Sequence, residues 1–343
     1  MSISFREVPE ASTSEETIRK TLAILRDAWH RAMRPAWTVI AIGAVALAVL
    51  CATTSFGVTS WAAVIQMITA IATFLGVSIL FGRAQWHRTA LAFEAAALFN
   101  ATVVVALPLE SILASAAFPY QDSMLVAVDR AMGFDWPALA FWFRDHPALT
   151  NALCHAYASI NWQPFVIIPA LAFAHPQRLR CILTISTVAL SATLMVFLVA
   201  PAIGPYAYFH FTAVDFPAVK VPAAWIAPSI TNALRSGSNE FHFAGLVTFP
   251  SYHAVVALLF AFGWLAVPYL RWLFVPLNLL MLVSCVPIGS HYVIDVVVGA
   301  AMVLAGHLMI SRYFEATDHF PPLPPWRRTQ SQAARYRPDK ATN

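Results

Sequence analysis

Charged residues are scarce in this sequence. Asp, Glu, Lys and Arg make up 11% of its 343 residues, whereas 59% are hydrophobic; an ordinary globular domain has about 25% charged residues. Long uncharged runs with this composition argue against one or two soluble domains and indicate a polytopic membrane protein. The basic residues lie in short loops and tails without an interleaved aromatic groove, so nucleic-acid binding is not indicated either.

Paired cysteines, a secretion signal and internal repeats are also missing. The four cysteines have no CxxC spacing and lie in or beside apolar runs, so we predict free thiols and no disulfide framework. They are Cys51, Cys154, Cys181 and Cys285. The N-terminus lacks the short apolar core and small-residue cleavage site of a signal peptide. Without an internal repeat, the sequence also lacks the inverted-repeat signature of many transporters.

Hydrophobic runs near the roughly 20 residues that a bilayer requires predict an all-α transmembrane bundle of about eight spans. We place these spans at 37–56, 61–82, 90–114, 152–174, 181–200, 252–268, 272–289 and 292–311. Before them, residues 1–36 form a cytoplasmic segment in which apolar positions within 17–34 recur at helical spacing. This predicts an amphipathic helix on the membrane surface, with a solvated helix as the alternative. The proline-rich tail, 312–343, is typical of disorder.

The distribution of positive charge predicts the orientation. With the N-terminus inside, only Arg130, Arg144, Lys220 and Arg235 lie in outer loops, and all other lysines and arginines lie inside. Cytoplasmic loops carry an excess of Lys and Arg, so this arrangement is favoured. It predicts that the long loops 115–151 and 201–250 lie on the outer side of the membrane. For the bacterial inner membrane, to which we assign the protein, this side is the periplasm.

Two motifs flank a pair of predicted spans near the end of the chain. They are GLVTFPSYHA (245–254) and SCVPIGSHYVIDVVVG (284–299). Because two crossings separate His253 from His291, both histidines return to the same face of the membrane. Asp295 lies four residues after His291, so on a helix the two share one face. Two imidazoles and a carboxylate at one membrane surface predict a phosphoryl-transfer site.

Each of these residues has a chemical role that its type permits. The carboxylate of Asp295 can accept the proton on one nitrogen of His291, which fixes the tautomer and leaves the other nitrogen free to attack phosphorus. Ser251 and its neighbour Tyr252 begin a helix, where hydroxyl and backbone N–H groups bind anions; Ser290 is assigned to the same phosphate site. His253 is then placed to protonate the leaving oxygen as general acid.

The pair Pro-Ser-x-His and His-Tyr-x-x-Asp-x-x-x-Gly, separated by two spans, resembles the type 2 phosphatidic acid phosphatase superfamily. FPSYHA and HYVIDVVVG are most similar to its branch of inositol phosphorylceramide synthases and related bacterial proteins, as are PAIGPY (201–206) and NALRSG (232–237). The resemblance implies a six-span core over 90–311, with two additional spans in 37–89. It also implies that His291 is the nucleophile, Asp295 its orienting partner, His253 the general acid and Ser251 a phosphate ligand.

The sequence departs from the superfamily in its cations. Cys285 stands where the common pattern has an arginine, and the lysine and Arg-Pro pair of the usual first motif are not evident. A phosphate still needs cationic stabilisation. We therefore predict Arg235 as the phosphate-binding cation, with Lys220 as the second choice.

These observations predict an integral membrane lipid phosphatase or phosphotransferase that uses a phosphohistidine intermediate and neither metal nor diffusible cofactor. Its partners are the bilayer and a lipid substrate, and its acceptor is water or, as in inositol phosphorylceramide synthase, a lipid hydroxyl. Three alternatives stay open: a metal site built from the same three side chains, a non-enzymatic transporter or scaffold, and a purely structural polar cluster. Chelator and vanadate distinguish metal from histidine catalysis.

Overall fold

A computed structural model describes residues 33–57 and 61–315 of the chain. These residues are predominantly helical and contain no β-structure beyond one isolated parallel bridge between Gly57 and Glu240. The helices are α1 (Arg34–Thr53), α2 (Trp61–Arg83), α3 (His87–Ser115), α4 (Asp122–Ala131), α5 (Trp136–Arg144), α6 (Pro147–Ala158), α7 (Gln163–Ala174), α8 (Pro176–Val199), α9 (Pro205–Tyr208), α10 (Pro222–Arg235), α11 (Tyr252–Trp264), α12 (Arg271–Ser284) and α13 (Val293–Glu315). The predicted all-α class is confirmed for this part of the chain.

Five of the described helices are long and apolar enough to cross a membrane: α1, α2, α3, α8 and α13. Helices α7, α11 and α12 are apolar but shorter. The chain is therefore a multi-pass membrane protein, while the count of eight spans and the six-span core remain predictions. All four cysteines are free thiols, as predicted. The amphipathic helix predicted within 17–34 and the tail predicted over 312–343 lie almost entirely outside the described residues.

The span predicted over 152–174 is divided into two helices. A 3-10 turn, Ser159–Asn161, separates α6 from α7. Pro164 occupies the first turn of α7, where its missing N–H costs no hydrogen bond, and proline disfavours helical geometry in the residue before it. The side chain of Gln163 satisfies polar groups at this break, since it donates to Ser159 Oγ (2.8 Å) and accepts from Asn278 Nδ2 (2.8 Å).

Glycine permits α13 to lie close to the start of α11. A Cβ atom on Gly299 would come within 2.6 Å of the Ser251 carbonyl oxygen. Small residues at helix interfaces let backbones approach in this way. In the same contact, the Ser251 N–H donates to the Asp295 carbonyl oxygen (3.2 Å). The packing of these two helices therefore sets the two predicted motifs side by side.

Helix α3 contributes buried carboxylates that connect it to other elements. Glu94 accepts a hydrogen bond from Trp37 Nε1 (3.2 Å) on α1, and Glu110 accepts one from Leu246 N (2.8 Å) in the loop before α11. Both glutamates are buried, so each bond satisfies an acceptor that would otherwise lack a partner. The contact at Glu110 fixes the start of the first motif against α3.

The close contact at Gly299 leads to a stability prediction. Gly299→Ala should lower the free energy of unfolding by about 1–3 kcal/mol, because the added methyl group overpacks against Ser251. Gly76→Ala is the matched control: outside its own helix backbone and its two chain neighbours, no atom lies within 4 Å of a Cβ at Gly76, and alanine is favoured over glycine in a helix. Thermal unfolding in detergent compares the two. Equal melting temperatures for both variants would show that the helices can separate at no cost.

Candidate active site

The two motifs line one cavity of about 1030 Å³. His253 is the second residue of α11, and His291 lies two residues before α13; both face this cavity. The structure therefore brings together the two histidines that the sequence predicts to act on one phosphate.

The imidazole of His291 is oriented by two oxygen atoms. Its Nδ1 lies 2.7 Å from the Thr248 carbonyl oxygen and 3.4 Å from Asp295 Oδ2. Because a carbonyl oxygen can only accept, Nδ1 carries the proton and donates it to Thr248. Asp295 is fully buried, and its Oδ2 also accepts from Tyr292 N (2.9 Å). In the neutral imidazole, Nε2 is therefore the unprotonated nitrogen.

A tight turn at Ser290 positions the side chain of His291. Ser290 adopts a left-handed backbone conformation (φ 59°), which is uncommon for a residue other than glycine. Gly204 packs directly against it: at φ 88°, a Cβ on Gly204 would lie 2.7 Å from the Ser290 carbonyl oxygen. Trp136 Nε1 donates to the His291 carbonyl oxygen (3.1 Å). Gly204, in the segment PAIGPY (201–206), thus packs against the turn that precedes His291.

Two aspartates of α4 hold the start of α13. Asp129 accepts from Val293 N (2.8 Å) and Ile294 N (3.0 Å), while Asp122 accepts from the Tyr292 hydroxyl (2.9 Å). Burial raises the pKa of both carboxyl groups, and the hydrogen bonds they accept oppose this rise. The sequence analysis did not identify this pair. The sequence pattern that could have identified this pair is the seven-residue spacing of Asp122 and Asp129, which puts both on one face of a short helix.

Tyr157 connects the two motifs. Its ring stacks on His253 with centroids 4.1 Å apart and planes 10° apart, and its hydroxyl lies 3.2 Å from His253 Nδ1. The same ring packs against Gly289, where a Cβ atom would come within 2.6 Å of Tyr157 Cε2. The sequence places this tyrosine inside a predicted span, among other apolar residues, so nothing in the pattern distinguishes it.

The predicted phosphate ligands do not all reach the cavity. Ser290 and Tyr252 line it, whereas Ser251 and Arg235 do not. Ser251 Oγ is buried as the cap of α11, where it accepts from Ala254 N (3.3 Å). The Arg235 guanidinium lies 3.6 Å above the Tyr120 ring and donates to the Phe118 carbonyl oxygen (2.7 Å). These contacts hold the Arg235 side chain away from the cavity.

Lys220 is the only lysine or arginine that lines the cavity among the described residues. Its loop is tied to α6, because Cys154 Sγ donates to the Ala218 carbonyl oxygen (3.5 Å). Pro228 and the alanine before it also line the cavity. The sequence does contain a lysine followed by an x-Pro pair, Lys220 and Ala227–Pro228. The sequence analysis missed this signal because alanine stands where the first motif of the superfamily has arginine. Cys285 is buried elsewhere and donates to the Met281 carbonyl oxygen.

Metal ligands are not grouped at this site. Within residues 33–57 and 61–315, no group of three or more histidine, cysteine, aspartate or glutamate side chains could hold a metal ion. The proton on His291 Nδ1 also excludes that nitrogen as a ligand in the observed arrangement.

The contacts of Asp129 predict a pH dependence of stability. Its pKa is raised in the folded protein, so between the ordinary aspartate pKa and the raised value the folded state binds more protons than the unfolded state. In that acidic window, stability falls as pH rises. Asp129→Asn should make this decline shallower and, by leaving one of two N–H groups without an acceptor, lower stability at neutral pH by about 1–3 kcal/mol. Thermal unfolding across the window measures both effects.

Asp215→Asn is the control. This aspartate is exposed, and the hydrogen bonds it accepts from Thr212 lower its pKa, so its own effect on stability falls below the ordinary aspartate pKa and outside that window. If stability declined with pH equally in the parent protein, Asp129→Asn and Asp215→Asn, the decline could not be assigned to Asp129.

Comparison with known proteins identifies the family of this chain. A sequence model of the PAP2 superfamily matches residues 123–309, which is more than half of the chain and runs from α4 into α13. The matched segment includes Lys220 and both motifs. No curated protein and no solved structure gives a match. The predicted branch of inositol phosphorylceramide synthases stays a prediction. The chain, a multi-pass membrane protein with two histidines in one cavity, belongs to the PAP2 superfamily.

Proposed function

We propose that this protein is a lipid phosphatase or phosphotransferase that forms a phosphohistidine at His291. Membership of the superfamily supports a phosphatase-type activity. The observation that carries the proposal is the donation from His291 Nδ1 to Thr248, which leaves Nε2 as the nucleophilic nitrogen in a cavity shared with His253. Both histidines lie at helix ends, whereas the binding residues of transporters usually lie at the middle of broken helices.

In the first step, the lone pair of His291 Nε2 attacks phosphorus and the bond from phosphorus to the leaving oxygen breaks. His253 donates a proton to that oxygen, so the alcohol leaves neutral. The imidazole of His291 then carries a positive charge. Asp295 and the Thr248 carbonyl oxygen stabilise this charge, since both lie against Nδ1.

In the second step, an acceptor hydroxyl attacks the phosphohistidine. His253, now neutral, takes the proton from the acceptor, and the P–N bond breaks so that its electron pair returns to Nε2. Water as acceptor gives hydrolysis. A lipid alcohol gives transfer of the phosphoryl group or of a head group.

The cation of this site is Lys220. A phosphate gains negative charge on its equatorial oxygens as the reaction proceeds, and a fixed cation stabilises that charge. Lys220 lines the cavity, whereas Arg235 is held by Tyr120 and Phe118. Ser290 and Tyr252 line the same cavity and supply hydroxyl groups.

A second candidate is head-group transfer of the inositol phosphorylceramide synthase kind. A phosphodiester carries one negative charge, fewer than a fully ionised monoester. The described cavity wall offers one lysine and no arginine, which suits the smaller charge. Phosphatidylinositol presented with and without ceramide or diacylglycerol distinguishes transfer from hydrolysis. The charge distribution of the loops supports placing this site on the periplasmic side of a bacterial inner membrane.

The roles of the histidines can be separated by the leaving group. His291→Ala should lose activity by on the order of a thousandfold or more on every substrate, because it lacks the nucleophile. His253→Ala should lose about 10²–10⁴-fold on an alkyl phosphate and far less on p-nitrophenyl phosphate, whose leaving group needs no proton. The comparison uses kcat/KM of the purified protein, because this constant reports the steps up to loss of the leaving group and not the second step, in which His253 also acts.

Quenching with alkaline detergent after brief exposure to radiolabelled substrate should trap a base-stable, acid-labile phosphoenzyme, and this signal should be absent in His291→Ala. Vanadate should inhibit the reaction and EDTA should not. Loss of activity with EDTA and its recovery with zinc would instead support metal-dependent hydrolysis.

The two candidate cations give opposite predictions. Lys220→Ala should reduce kcat/KM by about 10²–10³-fold, as the loss of one group that stabilises transition-state charge typically does. Arg235→Ala should leave kcat/KM unchanged when the protein is folded, although removal of the contact with Tyr120 lowers its stability. Lys220→Arg retains the charge and should recover part of the loss. The reverse ranking of Lys220→Ala and Arg235→Ala would assign the phosphate to Arg235.

A further inference from the structure

The cavity extends from the two histidines deep into the helix bundle. Helices α8 and α11 run antiparallel along it: Ser186 Oγ lies 2.7 Å from the Tyr252 hydroxyl near His253, whereas Arg178 meets the Phe262 carbonyl oxygen at the far end (3.2 Å). The cavity residues of α8 run from Leu190 to Leu179. At 1.5 Å per residue this is about 16 Å, of which about 10 Å, from Ser186 beside Tyr252 to Leu179, lies beyond the level of His253.

The polar side chains along this wall are already satisfied by the protein. Thr102 Oγ1 donates to the Leu98 carbonyl oxygen (2.8 Å), and Thr187 Oγ1 donates to the Leu183 carbonyl oxygen (2.9 Å). Glu110, also on the wall, accepts from the Leu246 N–H. The remaining wall is mostly aliphatic and aromatic. A polar ligand would lose its hydrogen bonds to water here without replacement, whereas a hydrocarbon chain would not.

Charge is confined to the end of the cavity near the histidines. His253 and His291 lie at that end, and the loop that carries Lys220 is bonded to Cys154, three residues before the Tyr157 that stacks on His253. Towards Leu179, the described lining residues carry no lysine, arginine or histidine. The cavity therefore has a cationic end and a long apolar end, which are joined without a break.

We infer that the far part of this cavity binds the hydrocarbon chain of the lipid whose phosphate meets His291, and that its depth along α8 determines the longest chain accepted. The inference rests on the proposed function for the identity of the phosphate. It goes further in placing the chain inside the bundle rather than against the surrounding bilayer.

Three residues form a ladder along α8. Thr187, Leu183 and Leu179 are spaced by one turn, so they share one face; all three line the cavity and are buried. Each turn of four residues moves about 6 Å further from the histidines. A phenylalanine at each position in turn should therefore block the cavity at increasing depth.

The test uses Thr187→Phe, Leu183→Phe and Leu179→Phe in lipid nanodiscs, with monoalkyl phosphates from hexyl to octadecyl as substrates. The longest chain hydrolysed efficiently should be shortest in Thr187→Phe and longest in Leu179→Phe. Beyond each limit, kcat/KM should fall at least tenfold, the discrimination that a single methylene can produce in an apolar pocket. Val188→Phe is the control, because Val188 is 39% exposed on the outside of the same helix; it should keep the parent profile.

Activity on hexyl phosphate shows that each variant is folded. An equal loss for all chain lengths, or one common limit in the three variants, would overturn the inference.

A second measurement does not depend on turnover. Dodecyl phosphate that carries a diazirine at the end of its chain should label residues near Leu183 and Leu179 on irradiation. Label found only on lipid-facing residues such as Val188 would overturn the inference even if hydrolysis is normal. Label at the far end of the cavity in a protein that hydrolyses none of the phosphates would leave chain binding in place and contradict the proposed function.

Discussion

The hydrogen bond from His291 Nδ1 to the Thr248 carbonyl oxygen is the contact on which the site depends. It joins the loop before α11 to the turn before α13, which are separated in sequence by two apolar helices. The backbone bond from Ser251 N to the Asp295 carbonyl oxygen joins the same two segments. In both bonds the acceptor is a main-chain carbonyl oxygen. The bonds therefore depend mainly on the backbone positions of Thr248 and Asp295. Gly204 and Gly299 provide that backbone geometry.

Helices inside the segment matched by the superfamily model and a helix outside it both support the site. Helices α4 and α5 lie within the matched segment and hold the turn at His291 through Asp129 and Trp136. Helix α3 precedes the match, yet Glu110 and Thr102 belong to the cavity wall. The family segment thus carries both histidines of the proposed site, while a helix outside it contributes to the wall of the same cavity.

Some of this arrangement was predictable from sequence because it depends on periodicity. The separation of His253 from His291 by two apolar runs predicts that they meet, and the four-residue spacing predicts that Asp295 faces His291. The identity of the closest acceptor was not predictable, since any residue can offer a carbonyl oxygen and Thr248 has no distinguishing side chain.

Long-range contacts account for the other differences. Arg235 has the charge that a phosphate needs, but its position is decided by Tyr120 and Phe118, more than a hundred residues away. The span predicted over 152–174 is mostly apolar, although it includes Ser159, Asn161 and Gln163. Its division depends on Pro164 and on the partner that Asn278 provides for Gln163. Such tertiary partners leave no periodic signal.

The two helices that meet at the site have unlike electrostatic ends. Asp129 and Asp295 place two carboxyl groups on the N-terminus of α13, whereas α11 is capped by the uncharged Ser251. A helix N-terminus carries roughly half a positive elementary charge, and carboxylates cancel it at α13 alone. The local field therefore favours an anion on the α11 side of the cavity. In the proposed reaction, a phosphate on that side approaches His291 from the direction of His253, as in-line displacement between the two imidazoles requires.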